Sequence, residues 1–216
     1  MVVKGLIFDL DGTLVKSPGL SLLNKILLET LSELGVDLKN ISLEEFWCSG
    51  RRHRRLLEAW GVSDPIVFWR VFDEKDYNLR YQLIKSGVIT VFEDVAVLQK
   101  LALNYKLGLV SNSSRKVVEL ELDVFNLRSL FNAIIILGTE NQDYAKPEPQ
   151  GILWCLKKLG LRRDEVVFIG DLEIDLEAGL KAGVKTFRII RDRLEKIDKS
   201  EFTIHSLYEL YSKINF

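Results

Sequence analysis

Two carboxylates stand two residues apart in Ile-Phe-Asp-Leu-Asp-Gly-Thr-Leu-Val, residues 7–15, where an apolar run meets a Gly-Thr turn. Side chains at i and i+2 of an extended chain share a face. Asp9 and Asp11 are therefore expected to repel, an arrangement that needs a use for the charge. Three more places carry polar chemistry behind apolar runs or in loops: Ser111-Asn112, Lys146, and Gly170-Asp171 with Asp175 four residues on. In an open parallel sheet, ligands bind outside the carboxyl ends of the strands, so these groups are expected on one rim. Clustered acids need a cation, and hard oxygen ligands with room for water point to Mg²⁺. A lysine and a hydroxyl beside such an ion point to a phosphoryl group, whose oxygens need neutralising as it transfers. Ser111 and Asn112 also precede a predicted helix, whose first amides favour an anion.

The elements that must hold these groups follow from periodicity. Apolar runs at 106–110, 133–137, 166–169 and 185–190 read as buried strands. Between them, 95–103, 113–126, 149–159, 175–182 and 207–214 read as helices. In 113–126 the apolar stripe is read as Val117, Leu120, Val124 and Leu127; Pro149 and Gly160 bracket the next helix. Strands alternating with helices predict an α/β fold, a Rossmann-like parallel sheet covered on both faces.

Residues 16–86 interrupt that alternation with no strand signal. Leu20, Leu23, Leu27, Leu31 and Leu34 step at helical spacing, with Gly35 as a stop. Ser42-Leu-Glu-Glu45 is a capping box. Asp64-Pro65 opens a third helix that ends near Gly87. The expectation is a small helical domain over 16–86 inserted into a core formed by 1–15 and 87–216.

The 216 residues suffice for a full core, and 30 Lys+Arg against 31 Asp+Glu imply no polyelectrolyte partner such as nucleic acid. Two cysteines far apart, Cys48 and Cys155, suit reduced thiols and a cytoplasmic setting. The longest apolar stretches are of strand length, so no membrane partner is expected.

Asp-Leu-Asp-Gly-Thr, Leu-Val-Ser-Asn-Ser, Ala-Lys-Pro-Glu-Pro and Ile-Gly-Asp-Leu-Glu-Ile-Asp, in this order, resemble the four motifs of the haloacid dehalogenase (HAD) superfamily. The inserted helices resemble its C1-type cap, as in the phosphoglycolate phosphatase and β-phosphoglucomutase branch. The resemblance implies an aspartyl-phosphate mechanism on a small phosphate ester. Asp9 would be the nucleophile and Asp11 the acid/base, with phosphate held at Ser111, Asn112 and Lys146. Asp171 would bind Mg²⁺ with Asp9 and the Asp11 carbonyl, and Asp175 would support that shell. Repulsion from Asp9 would help keep Asp11 protonated for its first task.

Glu173 reads as a solvated turn residue, and neither His53 nor His205 has partners at metal-ligand spacing. Trp47, Trp60 and Trp69 read as core of the inserted helices. The basic run 51–55 reads first as a solvated face, with Arg51 and Arg52 as candidate contacts to a second anionic group of the substrate. Lys16 stands where many relatives with small-sugar substrates have an acid, and is a further candidate. A phosphomutase, a 2-haloacid dehalogenase and a non-catalytic phosphoaspartate switch are the alternative readings. Asp11 counts against the dehalogenase, because a departing halide needs no proton, and the helical insertion counts against the switch.

Overall fold

The computed structural model describes residues 2–48, 53–191 and 202–214, with the side chains of Cys48 and Glu140 excepted. Six strands form one parallel sheet in the order β3-β2-β1-β4-β5-β6. They are β1 (Gly5–Phe8), β2 (Lys106–Ser111), β3 (Ala133–Ile136), β4 (Val166–Gly170), β5 (Lys185–Ile189) and β6 (Thr203–Ile204). β1 lies in the middle, with Phe8 in register with Leu109 of β2 and Ile169 of β4. The carboxyl ends of these three strands therefore line up.

Buried strands of a parallel sheet need apolar cover on both faces, and alternate residues of β1 supply it. Leu6 and Phe8 join a cluster with Leu98, Val118, Leu122 and Leu210; Ile7 joins Ile152, Cys155, Leu156 and Ala178 on the other face. The covering helices are α5 (Val97–Leu101), α6 (Arg115–Val124), α7 (Gln150–Leu159), α8 (Glu173–Ala182) and α9 (Leu210–Ile214). The helix expected from 95 opens instead as a 3₁₀ turn, Glu93–Ala96, and the last helix likewise opens with Leu207–Glu209.

Between β1 and β2 come α1 (Leu20–Glu33), α2 (Leu43–Cys48), α3 (His53–Ala59) and α4 (Pro65–Lys85). They have a core of their own, in which Leu27, Leu31, Phe46, Leu57, Phe68 and Trp69 are buried. Trp69 lies 5.8 Å from Phe46, and Trp47 and Trp60 pack against the same cluster. The helix signals hold in detail: Asp64 accepts from Ile66 N–H at 2.8 Å, and Ser42 from Glu45 N–H at 3.2 Å. Among the described residues, no helix is long and apolar enough to cross a membrane.

Two readings of the sequence need correction. The buried stripe of α6 is Val117, Val118, Glu121 and Leu122, while Val124 is exposed. A stripe chosen by apolar residue type alone turns the helix away from its true inner face, because that face contains a glutamate. Strand β6 was not expected at all. It is two residues long and includes a threonine, too short to carry a period.

Candidate active site

Asp9 is the first residue past β1, and its N–H donates to the Ile169 carbonyl at 2.9 Å, so the loop that carries it leaves the sheet beside β4. Its carboxylate accepts a hydrogen bond from the Lys146 ammonium. That ammonium also lies 2.6 Å from Asp175 Oδ1. Asp175 is in the first turn of α8, where its Oδ2 accepts from Leu172 N–H at 3.0 Å. It therefore caps its helix and faces the site together. Asp171 Oδ1 accepts from the buried Thr13 hydroxyl at 3.1 Å. Asp9, Asp171 and Asp175 each offer an oxygen within 4.8 Å of the others.

Two glycines permit that approach. A Cβ on Gly12, whose φ is +73°, would sit 2.2 Å from Asp171 Oδ2, and one on Gly170 would meet Asp175 at 2.4 Å. Burial raises the Asp9 carboxyl well above the ordinary range, and the charges of Asp175 and Asp171 add to it against the opposing pull of Lys146. Burial, and next the charge of Asp175, push Asp171 up to about 7. Burial alone would lower Lys146, but the charges of Asp175 and Asp9 outweigh it and keep the ammonium charged. One ammonium does not balance three close carboxylates. The donor set, all hard oxygens with negative charge in excess, fits a divalent cation.

The second motif acid behaves differently from the expectation. Strand β1 ends at Phe8, so Asp11 lies on the loop beyond it. Its Oδ2 accepts from the Ser113 hydroxyl at 2.5 Å, and its Oδ1 accepts from Arg80 of α4. Burial alone would raise Asp11, but the Arg80 guanidinium and the hydrogen bonds from Ser113 and Arg80 bring it below the ordinary value. The groups that act on Asp11 are Arg80, Ser113 and Lys146, not Asp9. It is Asp9 whose charged form is disfavoured.

Ser111 is buried at the end of β2, its hydroxyl oxygen accepting from Ser113 N–H at 3.1 Å. Asn112 clasps the lysine loop: Nδ2 donates to the Lys146 carbonyl at 3.0 Å, and Oδ1 accepts from Lys146 N–H at 2.9 Å. The Lys16 ammonium lies 6.0 Å from the Phe92 ring centre, in an open groove lined also by Arg191, His205 and Tyr208. It is not among the groups that touch the carboxylates. Arg51 and Arg52 lie outside the described residues. His53 stacks on Phe46 at 4.4 Å, and burial lowers it to about 4, which makes it a neutral core residue.

Sequence reading passed over Arg80, Glu121, Ser113 and Thr13. It also passed over Arg191, which donates to the Thr13 carbonyl and, at 2.7 Å, to Asp94. Asp94 in turn accepts from Leu207 N–H at 2.8 Å, so the segment after β6 is tied to the loop that carries Thr13.

The haloacid dehalogenase-like hydrolase family pattern matches residues 6–189. The chain belongs to that family. A phosphoglycolate phosphatase of Aquifex aeolicus is 28% identical over 206 residues, covering 85% of this chain and 83% of the relative. Pyrophosphatase PpaX of Listeria welshimeri is 28% identical over 190 residues, covering 85% and 82%. The crystal structure of a HAD phosphatase from Thermococcus onnurineus superposes with a TM-score of 0.66 at 25% identity, covering 99% of this chain and 98% of the other. This hydrolase thus carries the α/β core and helical cap of its family, with the divalent-cation candidate at the strand ends.

Proposed function

We propose that this hydrolase is a Mg²⁺-dependent phosphomonoesterase for a small phosphorylated metabolite, working through a phosphoaspartate on Asp9. The observation that carries the reading is the trio Asp9, Asp171 and Asp175 with Lys146 at the carboxyl ends of β1 and β4 and beside them. The three carboxylates would hold the ion, which when bound supplies positive charge against the phosphoryl oxygens and offsets the repulsion among its ligands.

In this reading an Asp9 oxygen attacks phosphorus while the ester oxygen departs, and Asp11, which has to take up a proton against the pull of Arg80 and Ser113 before it can act, gives that oxygen its proton. Asp11 then takes a proton from the water that cleaves the phosphoaspartate and releases phosphate. Lys146 and the Ser111 hydroxyl hold phosphoryl oxygens, and Asn112 keeps Lys146 in place. The proposed division into core, 1–15 and 87–216, and cap, 16–86, is supported where the two connections run side by side: Lys16 N–H donates to the Thr90 carbonyl at 3.0 Å. A cytoplasmic setting is supported by the buried free thiol of Cys155.

Phosphoglycolate and pyrophosphate, the compounds in the relatives' names, are the first substrates to try. Arg51, Arg52 and Lys16 are the proposed contacts for a second anionic group. Lys16 is next to Ser17, whose hydroxyl comes within 3.4 Å of Asp11. Asp9→Asn keeps the shape but removes the nucleophile, and should cost about 10⁴-fold or more in kcat, read as phosphate release with Mg²⁺ present. Turnover that survives in Asp9→Asn, or in native protein with excess chelator, rejects the mechanism.

A further inference from the structure

The cap touches the proposed acid through exposed Ser17 and, from α4, through a residue whose burial is out of keeping with a surface contact. Arg80 is 4% exposed and sits one turn after Asp76 on α4. Its Nε lies 3.0 and 3.1 Å from the two Asp76 oxygens. Its Nη1 donates to Glu121 Oε1 of α6 at 2.7 Å and to Asp11 Oδ1. Other polar bridges between cap and core, among them Lys116 with Glu74, Arg54 with Asp143 and Thr139 with Asp73, leave Asp11 untouched.

Three features limit what this arginine can do. Its N–H groups already face three carboxylates, so it has no surplus charge for a substrate anion. Its side chain is 5% exposed while that of Asp11 is 21% exposed, so a substrate oxygen reaches the aspartate and not the arginine. A buried ion cluster adds little net stability over apolar packing of the same volume. What the cluster does provide is direction. Asp76 and Glu121 fix the planar guanidinium from two helices, and the guanidinium with the Ser113 hydroxyl then fixes Asp11 from both oxygens.

We infer that Arg80 is a positioning residue that aims the Asp11 carboxyl at the leaving-group oxygen, so that the cap supplies part of the acid step. The inference rests on the acid role proposed above for Asp11. Arg80→Lys keeps the charge but replaces the fork with a point donor that cannot span Asp76, Glu121 and Asp11. Benzyl phosphate and 4-nitrophenyl phosphate are similar in size, but only the first needs a proton on its leaving oxygen.

The test compares single-turnover phosphoryl transfer from both esters in native, Arg80→Lys and Asp11→Asn protein with Mg²⁺. Arg80→Lys should slow transfer from benzyl phosphate about ten- to a hundredfold, with KM little changed and the 4-nitrophenolate burst kept within about threefold. Equal loss on both esters, or none, while Asp11→Asn is selective, overturns the positioning role alone. An Asp11→Asn protein that treats both esters alike overturns the acid role and this inference with it. Should Arg80→Lys melt below the assay temperature, the Arg80→Gln, Glu121→Gln pair is compared with Glu121→Gln alone and read by the same ratio.

Discussion

The molecule contains two buried clusters of the same make-up: Asp9, Asp171 and Asp175 around Lys146, and Asp11, Asp76 and Glu121 around Arg80. They resolve their excess of acid differently. Lysine is a compact charge that reaches Asp9 and Asp175, and the excess settles on part-exposed Asp171, pushed up to about 7 by burial and by Asp175. Arginine is a fork that reaches all three partners. There the excess settles on Glu121, pushed up to about 8 by burial first and by the Asp11 charge next. Glu121 is fully enclosed, out of reach of an ion from solvent, and has Arg80 as its charged partner. The first cluster is therefore built to take a cation from outside, and the second carries its own.

The largest change expected beyond catalysis comes from removing that internal cation. Arg80→Met takes the guanidinium away from Asp11, Asp76 and Glu121 and should cost about 3–5 kcal/mol in urea unfolding. Lys146→Met measured with saturating Mg²⁺ should cost less, because the ion takes over part of the balance. Similar losses in the two variants would erase the distinction between the clusters.

A smaller effect links both clusters to pH. In metal-free protein Asp171 and Glu121 have folded pKa values above their unfolded ones, so the folded state binds more protons between about pH 4 and 8. Stability is then greatest below the unfolded values and falls as pH rises through 7 and 8. A fixed Mg²⁺ concentration, about a hundred times its Kd at pH 8, should restore about 2.7 kcal/mol there and give a smaller rise in Tm at pH 5. Glu121→Gln should flatten the remaining slope without altering the response to Mg²⁺. Calorimetry at the two pH values reads both, and a Mg²⁺ response that is the same at pH 5 and pH 8 counts against Asp171 as a ligand.

The smallest expected effect is at Lys16. Its exposed contact with the Phe92 ring is worth about 0.5–1 kcal/mol, and Lys16→Ala should lose no more than that. If its proposed contact with a substrate anion is made, KM for phosphoglycolate rises in Lys16→Ala while KM for 4-nitrophenyl phosphate stays. Unchanged KM values for both leave Lys16 with the ring alone.

The first cluster was legible in the sequence because Asp9 and Asp171 directly follow apolar strands, with Lys146 and Asp175 on the connections that leave β3 and β4, and parallel-sheet topology then brings strand ends together. The second was not. Asp76 and Arg80 have the i, i+4 spacing of any solvated helix pair, and nothing local says that this face of α4 is turned inward. Glu121 hid itself in a different way. It occupies the inner stripe of α6, and a search for apolar periodicity moves the stripe to Leu120 and Val124 rather than admit an acid. A cluster whose members come from one loop and two distant helices has no sequence period at all.

The strand order has a consequence for synthesis. β1 is made first yet lies between β2 and β4, whose last residues are Ser111 and Gly170. Growing vectorially, the chain carries Asp9 just past an apolar strand that has no partner until β2 is made and is flanked on both sides only once β4 has followed. Arg191, which braces Thr13 behind Asp171, comes later still. A half-made chain therefore has Asp9 without Asp171 and Asp175, and its partly covered strand is what a nascent-chain chaperone would have to shield.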